Sequence, residues 1–302
     1  MNAPDLERLR PRLPSPLEPV EDERFARHGL TLLLKRDDLI HPDLPGNKWR
    51  KLALNLRAAG GRPVLTFGGA YSNHLRATAA AGRLLGFRTV GVVRGDELAG
   101  RPLNPSLARC AADGMRLLFV DRATYRAKHE PAVLARLLGE LPEDVYVVPE
   151  GGSNALAVEG CVELGRELAG VADTAAVACG TGGTLAGLAA GFPGPVLGVP
   201  VLKGGFLGAD VRTLQEAAFG GPRGRWRLDE RFHCGGYART TPELEAFADA
   251  FGARHGLAIE RLYVAKMLHA LVTLAEEGAF APGTRIAAVV TGSPEPQADS
   301  SR

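Results

Sequence analysis

The chain has 302 residues, 45% of them hydrophobic and 23% charged, which is enough apolar material for a substantial core and more than one small domain needs. Its 36 Lys and Arg against 34 Asp and Glu leave a net charge of +2, so the expected partner is a small molecule, with no nucleic acid and no membrane. Cys110, Cys161, Cys179 and Cys234 lie far apart without a CxxC pair, which argues against a zinc site or a secreted disulfide framework and for reduced, mostly buried thiols.

The amino terminus, MNAPDLERLRPRLP, carries no apolar signal core, so a cytoplasmic protein is expected. The first strand-like run, 32–35, feeds a polar loop and then Pro45-Gly46-Asn47-Lys48-Trp49-Arg50-Lys51-Leu52. Glycine for a tight turn followed by asparagine predicts a helix with Asn47 as its N-cap and Lys48 in its first turn. Most lysines are solvated surface charges. Here Lys48, Arg50 and Lys51 crowd a helix start, where cations oppose the dipole unless an anion is present, and a bound phosphate would resolve that conflict.

The apolar run 64–67 comes next, and Gly68-Gly69-Ala70-Tyr71-Ser72-Asn73-His74 leads from it into an alanine-rich helix at 72–85. Parallel sheets bind ligands at such junctions, and this one presents a hydroxyl, an amide and an imidazole together. Ser72 acting only as an N-cap is the plainer alternative. Strands at 89–93, 116–120 and 145–148 follow, with a helix at 124–138 before the last. Pro149-Glu150-Gly151-Gly152-Ser153-Asn154 marks another strand end. Glycine and serine there could offer donors to a carboxylate or phosphate, and helix capping explains them equally well.

A helix at 155–168 leads into 174–202, which contains no charged residue. That length could span a bilayer, but seven glycines and three prolines interrupt it. It reads as two buried strands, 175–178 and 196–199, joined by a glycine loop and a short helix. The loop, Gly180-Thr181-Gly182-Gly183-Thr184, combines backbone N–H groups, hydroxyls and a helix start into a phosphate cup, with a structural turn as the alternative. Leu185 replaces the third glycine of a dinucleotide fingerprint, and the Gly-Lys-Ser/Thr of a P-loop is missing. A helix at 242–255, a strand at 285–290 and a polar tail at 293–302, expected to be disordered, complete the chain. Apolar strands alternating with helices make the class α/β, with parallel sheets covered on both faces.

These four motif stretches, in this order, resemble the fold-type II pyridoxal 5'-phosphate (PLP) enzymes of tryptophan synthase beta-like architecture. Among them the chain is most similar to the 1-aminocyclopropane-1-carboxylate (ACC) deaminase and D-cysteine desulfhydrase family, over nearly everything after residue 30. The resemblance implies two domains, each with a mainly parallel sheet flanked by helices. Residues 1–50 and 151–302 would form the large PLP-binding domain and 51–150 the small one. It implies PLP as a Schiff base on Lys48, Asn73 on the cofactor's 3'-oxygen, and Lys51 with Gly180, Thr181, Gly182, Gly183 and Thr184 around its phosphate. Ser72 would hold the substrate carboxylate near the reacting carbon, with His74 and Ser153 also on the substrate's side. Tyr237 and Tyr263 would bind the carboxylate or assist a leaving group. A homodimer is implied as well.

Two departures bear on the substrate. ACC deaminases carry a glutamate directly after the second tyrosine, paired with the pyridine nitrogen; Val264 stands here and cannot pair. By analogy with other fold-type II enzymes, which use a hydroxyl, the expected partner is Thr291. A neutral partner leaves the nitrogen unprotonated and the ring a weaker electron sink, which suits α,β-elimination better than opening an unactivated cyclopropane. The second departure, Ser72-Asn73-His74, is closer to the desulfhydrases, since the deaminases usually have glutamine third. The expected reaction is β-elimination from a small amino acid such as D-cysteine, β-chloro-D-alanine or D-serine, giving pyruvate and ammonia, with Lys48 as a plausible base and Ser72 as an alternative proton carrier. ACC ring opening, β-replacement and a non-catalytic binding protein on the same scaffold are the alternatives. A nicotinamide oxidoreductase would need a Gly-x-Gly-x-x-Gly junction, which is absent.

Overall fold

A computed structural model describes residues 5–44, 46–139, 141 and 144–292. The polar tail at 293–302 and Pro45 lie outside the described residues. Two sheets organise the rest. The larger runs β1 (Leu17–Val20), β2 (Thr31–Lys35), β10 (Arg285–Val289), β7 (Thr174–Cys179), β8 (Pro195–Pro200), β9 (Arg225–Leu228) in space. The smaller runs β5 (Met115–Val120), β4 (Thr89–Arg94), β3 (Val64–Gly68), β6 (Tyr146–Val148). Every neighbouring pair is parallel except β1 with β2. The helices are α1 (Glu23–Ala26), α2 (Lys48–Ala59), α3 (Asn73–Leu85), α4 (Pro105–Ala112), α5 (Arg122–Arg126), α6 (Pro131–Gly139), α7 (Ala155–Gly160), α8 (Val162–Leu168), α9 (Gly183–Gly191), α10 (Leu207–Phe219), α11 (Pro242–His255) and α12 (Val264–Glu276).

The central strands are apolar at successive positions because both of their faces are covered. Side chains alternate across a strand, so Ala176, Ala178, Ile286 and Ala288 pack with Phe251 of α11 and with Met267 and Leu271 of α12. Their neighbours Ala175, Val177, Ala287 and Val289 face Leu164 of α8, Leu188 of α9 and Val211 of α10. In the smaller sheet, Val64 and Val148 pack with Leu52 and Leu56 of α2 and Ala77 and Ala80 of α3, while Leu65 and Val92 meet Tyr125 and Leu137. Helix α2 therefore packs on the small sheet while its first turn carries Lys48.

All eight expected strands are present, and the uncharged stretch 174–202 is the strand, glycine loop, helix and strand read from it. Among the described residues no helix is long and apolar enough to cross a membrane. Two elements differ from expectation. The helix at 124–138 is broken, since α5 ends at Arg126 and α6 restarts at Pro131, whose missing N–H is tolerated only in a first turn. The helix at 155–168 bends at Cys161 between α7 and α8. Glycine lets these helices approach closely: a Cβ on Gly187 of α9 would fall 2.2 Å from the Val158 carbonyl oxygen.

Arg50 also departs from expectation. It points away from any phosphate into a buried ionic cluster, pairing with Asp37 and Glu167 at 2.9 Å each, while Lys35 reaches Glu167 at 2.6 Å. These carboxylates hold the Arg50 guanidinium firmly protonated. The cluster ties β2, the start of α2 and α8 together behind Lys48. One lost partner would leave an uncompensated buried charge, which costs about 3–5 kcal/mol.

Candidate active site

The carboxyl ends of the inner strands of both sheets open on one cleft of about 670 Å³. Loops after parallel strands converge there because each crossover returns on the same side. The β2–α2 loop brings Asn47, Lys48 and Lys51, the β3–α3 loop Ser72, Asn73 and His74, the β7–α9 loop Gly180, Thr181, Gly182, Gly183 and Thr184, and the chain after β10 brings Thr291. Tyr237 and Tyr263 complete the wall. Of the site residues expected from sequence, only Ser153 does not line the cleft itself; it stands behind Lys51, whose Nζ donates to its Oγ at 2.8 Å.

Gly46 sets the position of Lys48. It has φ +64°, and a Cβ there would land 1.6 Å from the Thr291 carbonyl oxygen, which accepts the Asn47 N–H at 3.2 Å. Only glycine permits this approach, which puts Lys48 and Thr291 on one wall. Asn47 occupies the position before α2 but makes no side-chain cap; its carboxamide instead donates to Thr184 Oγ1 at 2.8 Å, stitching the lysine loop to the glycine loop. Burial brings the Lys48 ammonium down to about 8.

Lys51, one turn further on, is buried, and among the described residues no carboxylate pairs with it. Its Nζ lies 2.8 Å from Ser153 Oγ and 3.4 Å from Thr181 Oγ1, and those two hydroxyls are hydrogen-bonded to each other. Burial and the charge on Lys48 bring Lys51 down to about 7. Gly182, at φ +80°, turns the chain into α9 without a side-chain cap, so among the described residues no capping side chain takes the first N–H groups of that helix. A buried cation without a counterion, two hydroxyls and an uncapped helix start fit a phosphate.

On the opposite wall Ser72 caps α3, accepting the Leu75 N–H at 3.3 Å, and keeps its own proton to donate. The Asn73 side-chain oxygen accepts from Arg76, so its NH2 group is what remains to donate. Thr66 Oγ1 gives its proton to the Val148 carbonyl at 2.8 Å, and so the 2.7 Å contact between His74 Nε2 and Thr66 must use a proton on Nε2. Burial, with Lys48 and Lys51 adding to it, holds His74 neutral. The ring is thus anchored as a wall.

Tyr263 stands at the start of α12 with its hydroxyl near Gly180, where a Cβ would come within 3.2 Å of Oη. Burial, with the neighbouring Tyr237 and Glu260, keeps it protonated. The Tyr237 ring lies edge-on to it at 6.5 Å. Tyr237 sits on a loop of left-handed residues, Cys234 at φ 52° to Ala238 at φ 56°, and the buried Lys266 clasps that loop by donating to the carbonyls of His233 and Gly236 at 2.9 and 3.1 Å.

Sequence reasoning missed Glu260, Arg94 and Tyr71, all in the lining. Glu260 accepts the N–H groups of Leu262, Tyr263 and Val264 at 2.7, 2.7 and 3.1 Å and so caps α12; an acidic residue just before an apolar helical run was the available signal. Val264 is buried in the large core and is not part of the cleft lining.

A depressed-pKa amine beside a buried anion cup, at the carboxyl ends of two parallel sheets, defines an enzyme that holds a phosphorylated carbonyl cofactor. The chain belongs to the pyridoxal-phosphate dependent enzyme family, whose sequence profile matches residues 10–292. Its α/β fold is fold-type II. It is 30% identical over 290 residues, 87% of this chain and 85% of the other, to a Pyrococcus horikoshii protein provisionally named 1-aminocyclopropane-1-carboxylate deaminase. It is 35% identical over 181 residues, 54% of this chain and 53% of the other, to the D-cysteine desulfhydrase of Yersinia pestis. A crystal structure described as an ACC deaminase homologue superposes with TM-score 0.80 at 26% identity, covering 96% of this chain and 91% of that one.

Proposed function

We propose that this PLP enzyme performs α,β-elimination on a small amino acid, in the manner of a D-cysteine desulfhydrase, releasing pyruvate and ammonia. The observation that carries this reading is the pairing of Thr291 in the lining with a Val264 confined to the core. Glu260, a half-buried carboxylate of the cleft, is committed to three backbone N–H groups. With Glu260 so committed, the Thr291 hydroxyl is the group that would serve the ring nitrogen of a bound cofactor, and elimination, in which a leaving group accepts the electrons, would suit that environment.

When bound, PLP supplies an electron sink for the substrate's α-carbon. Lys51, Thr181 and the start of α9 would hold its phosphate, and the Asn73 amide would orient it. Lys48, at about 8, is available as a neutral amine close to physiological pH, first to hold the cofactor and then to take the α-proton. Ser72, which lines the same cleft and keeps its own proton, would donate to the substrate carboxylate and is the alternative proton carrier for a D-substrate. Tyr263, kept protonated, can give its proton to the departing group, with Tyr237 as the nearer contact to solvent.

The four-stranded sheet with its helices is taken as a small domain of residues 51–150 against a large one of 1–50 and 151–302, and the enzyme as a cytoplasmic homodimer; the family resemblance supports the division and the dimer, and the amino terminus without an apolar signal core supports the location. The decisive assay is release of pyruvate or 2-oxobutyrate by PLP-loaded protein from D-cysteine, L-cysteine, D-serine and ACC. Pyruvate from D-cysteine is expected. Turnover of ACC alone would favour the second reading, ACC deaminase, which the Pyrococcus horikoshii relative supports.

A further inference from the structure

Almost every charge lining the cleft is already engaged. Glu260 takes three backbone N–H groups, Glu150 pairs with Lys128 at 3.1 Å, and Arg261 pairs with Asp249 and Glu245. Arg76 donates to Asn73, and Lys48 and Lys51 face the cofactor site. Arg94 differs. Among the described residues it has neither a carboxylate within ion-pairing distance nor a hydrogen bond; its guanidinium lies over the face of Tyr125, 5.8 Å from the ring centroid.

Arg94 is the last residue of β4, at the carboxyl edge of the small sheet and next to the end of β3. Its Nη2 comes within 3.6 Å of where a Cβ on Gly69 would stand, so the missing side chain at 69 leaves a gap through which the guanidinium faces the cleft. Ser72 lies three residues beyond that glycine. The charge of Arg94 is also felt at the Tyr237 hydroxyl, where it partly opposes the effect of burial. Arg94 is exposed, and an arginine resting on an aromatic face at the mouth of an amino-acid pocket is a fork of donors without a protein acceptor among the described residues, a fork that planar or tetrahedral oxyanions match.

We propose that Arg94 binds an oxyanion on the side chain of the substrate, so that the preferred amino acids carry a carboxylate, sulfonate or phosphate at or just beyond the β-carbon. This rests on the amino-acid reading above, in which Ser72 takes the α-carboxylate and leaves Arg94 to the far end. The elimination balances for such substrates. The α-proton leaves Cα, the Cβ–X electron pair departs with X as sulfite from cysteate or as phosphate from O-phosphoserine, and water converts the resulting enamine to pyruvate and ammonia.

The test compares aspartate with asparagine, near-isosteric ligands that differ in charge and have no β-leaving group, each as D and L enantiomers. They are titrated into PLP-loaded wild-type and Arg94→Gln protein by calorimetry, and the ratio of kcat/KM for cysteate over cysteine is measured alongside. One charge-assisted contact corresponds to about a tenfold to hundredfold preference for aspartate. That preference, and the cysteate ratio, should collapse in Arg94→Gln and partly return in Arg94→Lys. Equal binding of aspartate and asparagine by wild type, or equal weakening of both by Arg94→Gln, overturns the assignment while leaving the amino-acid reading intact. If no amino acid binds or reacts, the proposed function itself fails and the role of Arg94 with it.

Discussion

Replacing Lys51 with glutamine isolates the phosphate cup from the rest of the site. The Lys51 ammonium has two hydroxyl neighbours, at 2.8 and 3.4 Å, and among the described residues no carboxylate partner. A bound phosphate would give it a charge-assisted hydrogen bond worth about 1.5–3 kcal/mol, so Lys51→Gln should weaken PLP binding about 10- to 150-fold. The magnitude depends on pH. Lys51 stands at about 7 without an anion, so above that value the incoming phosphate must also drive proton uptake, at about 1.4 kcal/mol per pH unit. The loss should therefore be largest near pH 6.5 and shrink towards pH 8. Equilibrium dialysis of PLP against apoprotein measures it, and pyridoxal, which lacks the phosphate, is the control. A variant that binds PLP within twofold of wild type at pH 6.5, or a loss of pyridoxal affinity as large as that of PLP, would refute Lys51 as the phosphate's partner.

Three further outcomes are expected. Lys48→Ala should lower turnover by roughly three orders of magnitude or more and abolish borohydride trapping of cofactor, while reversible PLP binding through the phosphate cup persists; a trapped adduct at another lysine would displace Lys48 from its role. Lys266→Met strands the His233 and Gly236 carbonyls and should cost about 1–3 kcal/mol in urea unfolding, with KM raised more than kcat is lowered because Tyr237 loses its support. Apoprotein stability should climb with pH between about 7 and 8.5. Lys48 and Lys51, at about 8 and 7 in the fold against an ordinary 10.5, stay protonated in the unfolded chain but lose their protons in the folded one across this window, and each contributes at most about 1.4 kcal/mol per pH unit. Above about 9 the buried thiols of Cys110, Cys161 and Cys179, raised to about 11, 11 and 12, reverse the trend, because the unfolded chain then loses protons that the fold retains. Melting temperatures that fall steadily from pH 7 to 8.5 would contradict this.

The inner strands were legible because a parallel strand covered on both faces must be apolar throughout, and 64–67 or 175–178 can be little else. The edge strands β1 (Leu-Glu-Pro-Val) and β9 (Arg-Trp-Arg-Leu) were not, since a half-exposed edge admits charges and a proline and leaves a short alternation that many loops share. Glycine loops at strand ends announced where ligands bind. They did not announce direction. Arg50, Lys51 and Lys48 look equivalent in sequence, yet a helix turns successive residues by about 100°, sending Arg50 to Glu167 and Lys51 to Ser153. Glu167 lies 117 positions from Arg50, and nothing local to either residue reveals the pair. Arg94 stayed hidden for the same reason, because a strand-end arginine becomes informative only once its neighbours are seen not to neutralise it.

The order of the large sheet has a consequence for biosynthesis. The last of its strands in chain order, β10, lies between β2 and β7, and Thr291, two residues beyond it, supplies the carbonyl on which Gly46 and Asn47 rest. During translation the small sheet, whose strands all fall between residues 64 and 148, can close while the ribosome is still adding the rest. The lysine wall cannot. Until residue 291 has emerged, β2 and β7 flank a gap and Lys48 has no fixed address, so a nascent or prematurely terminated chain presents no finished place for the cofactor. Cofactor capture then reports that the chain through residue 291 has emerged, and holoprotein yield is a measure of correct assembly of the sheet.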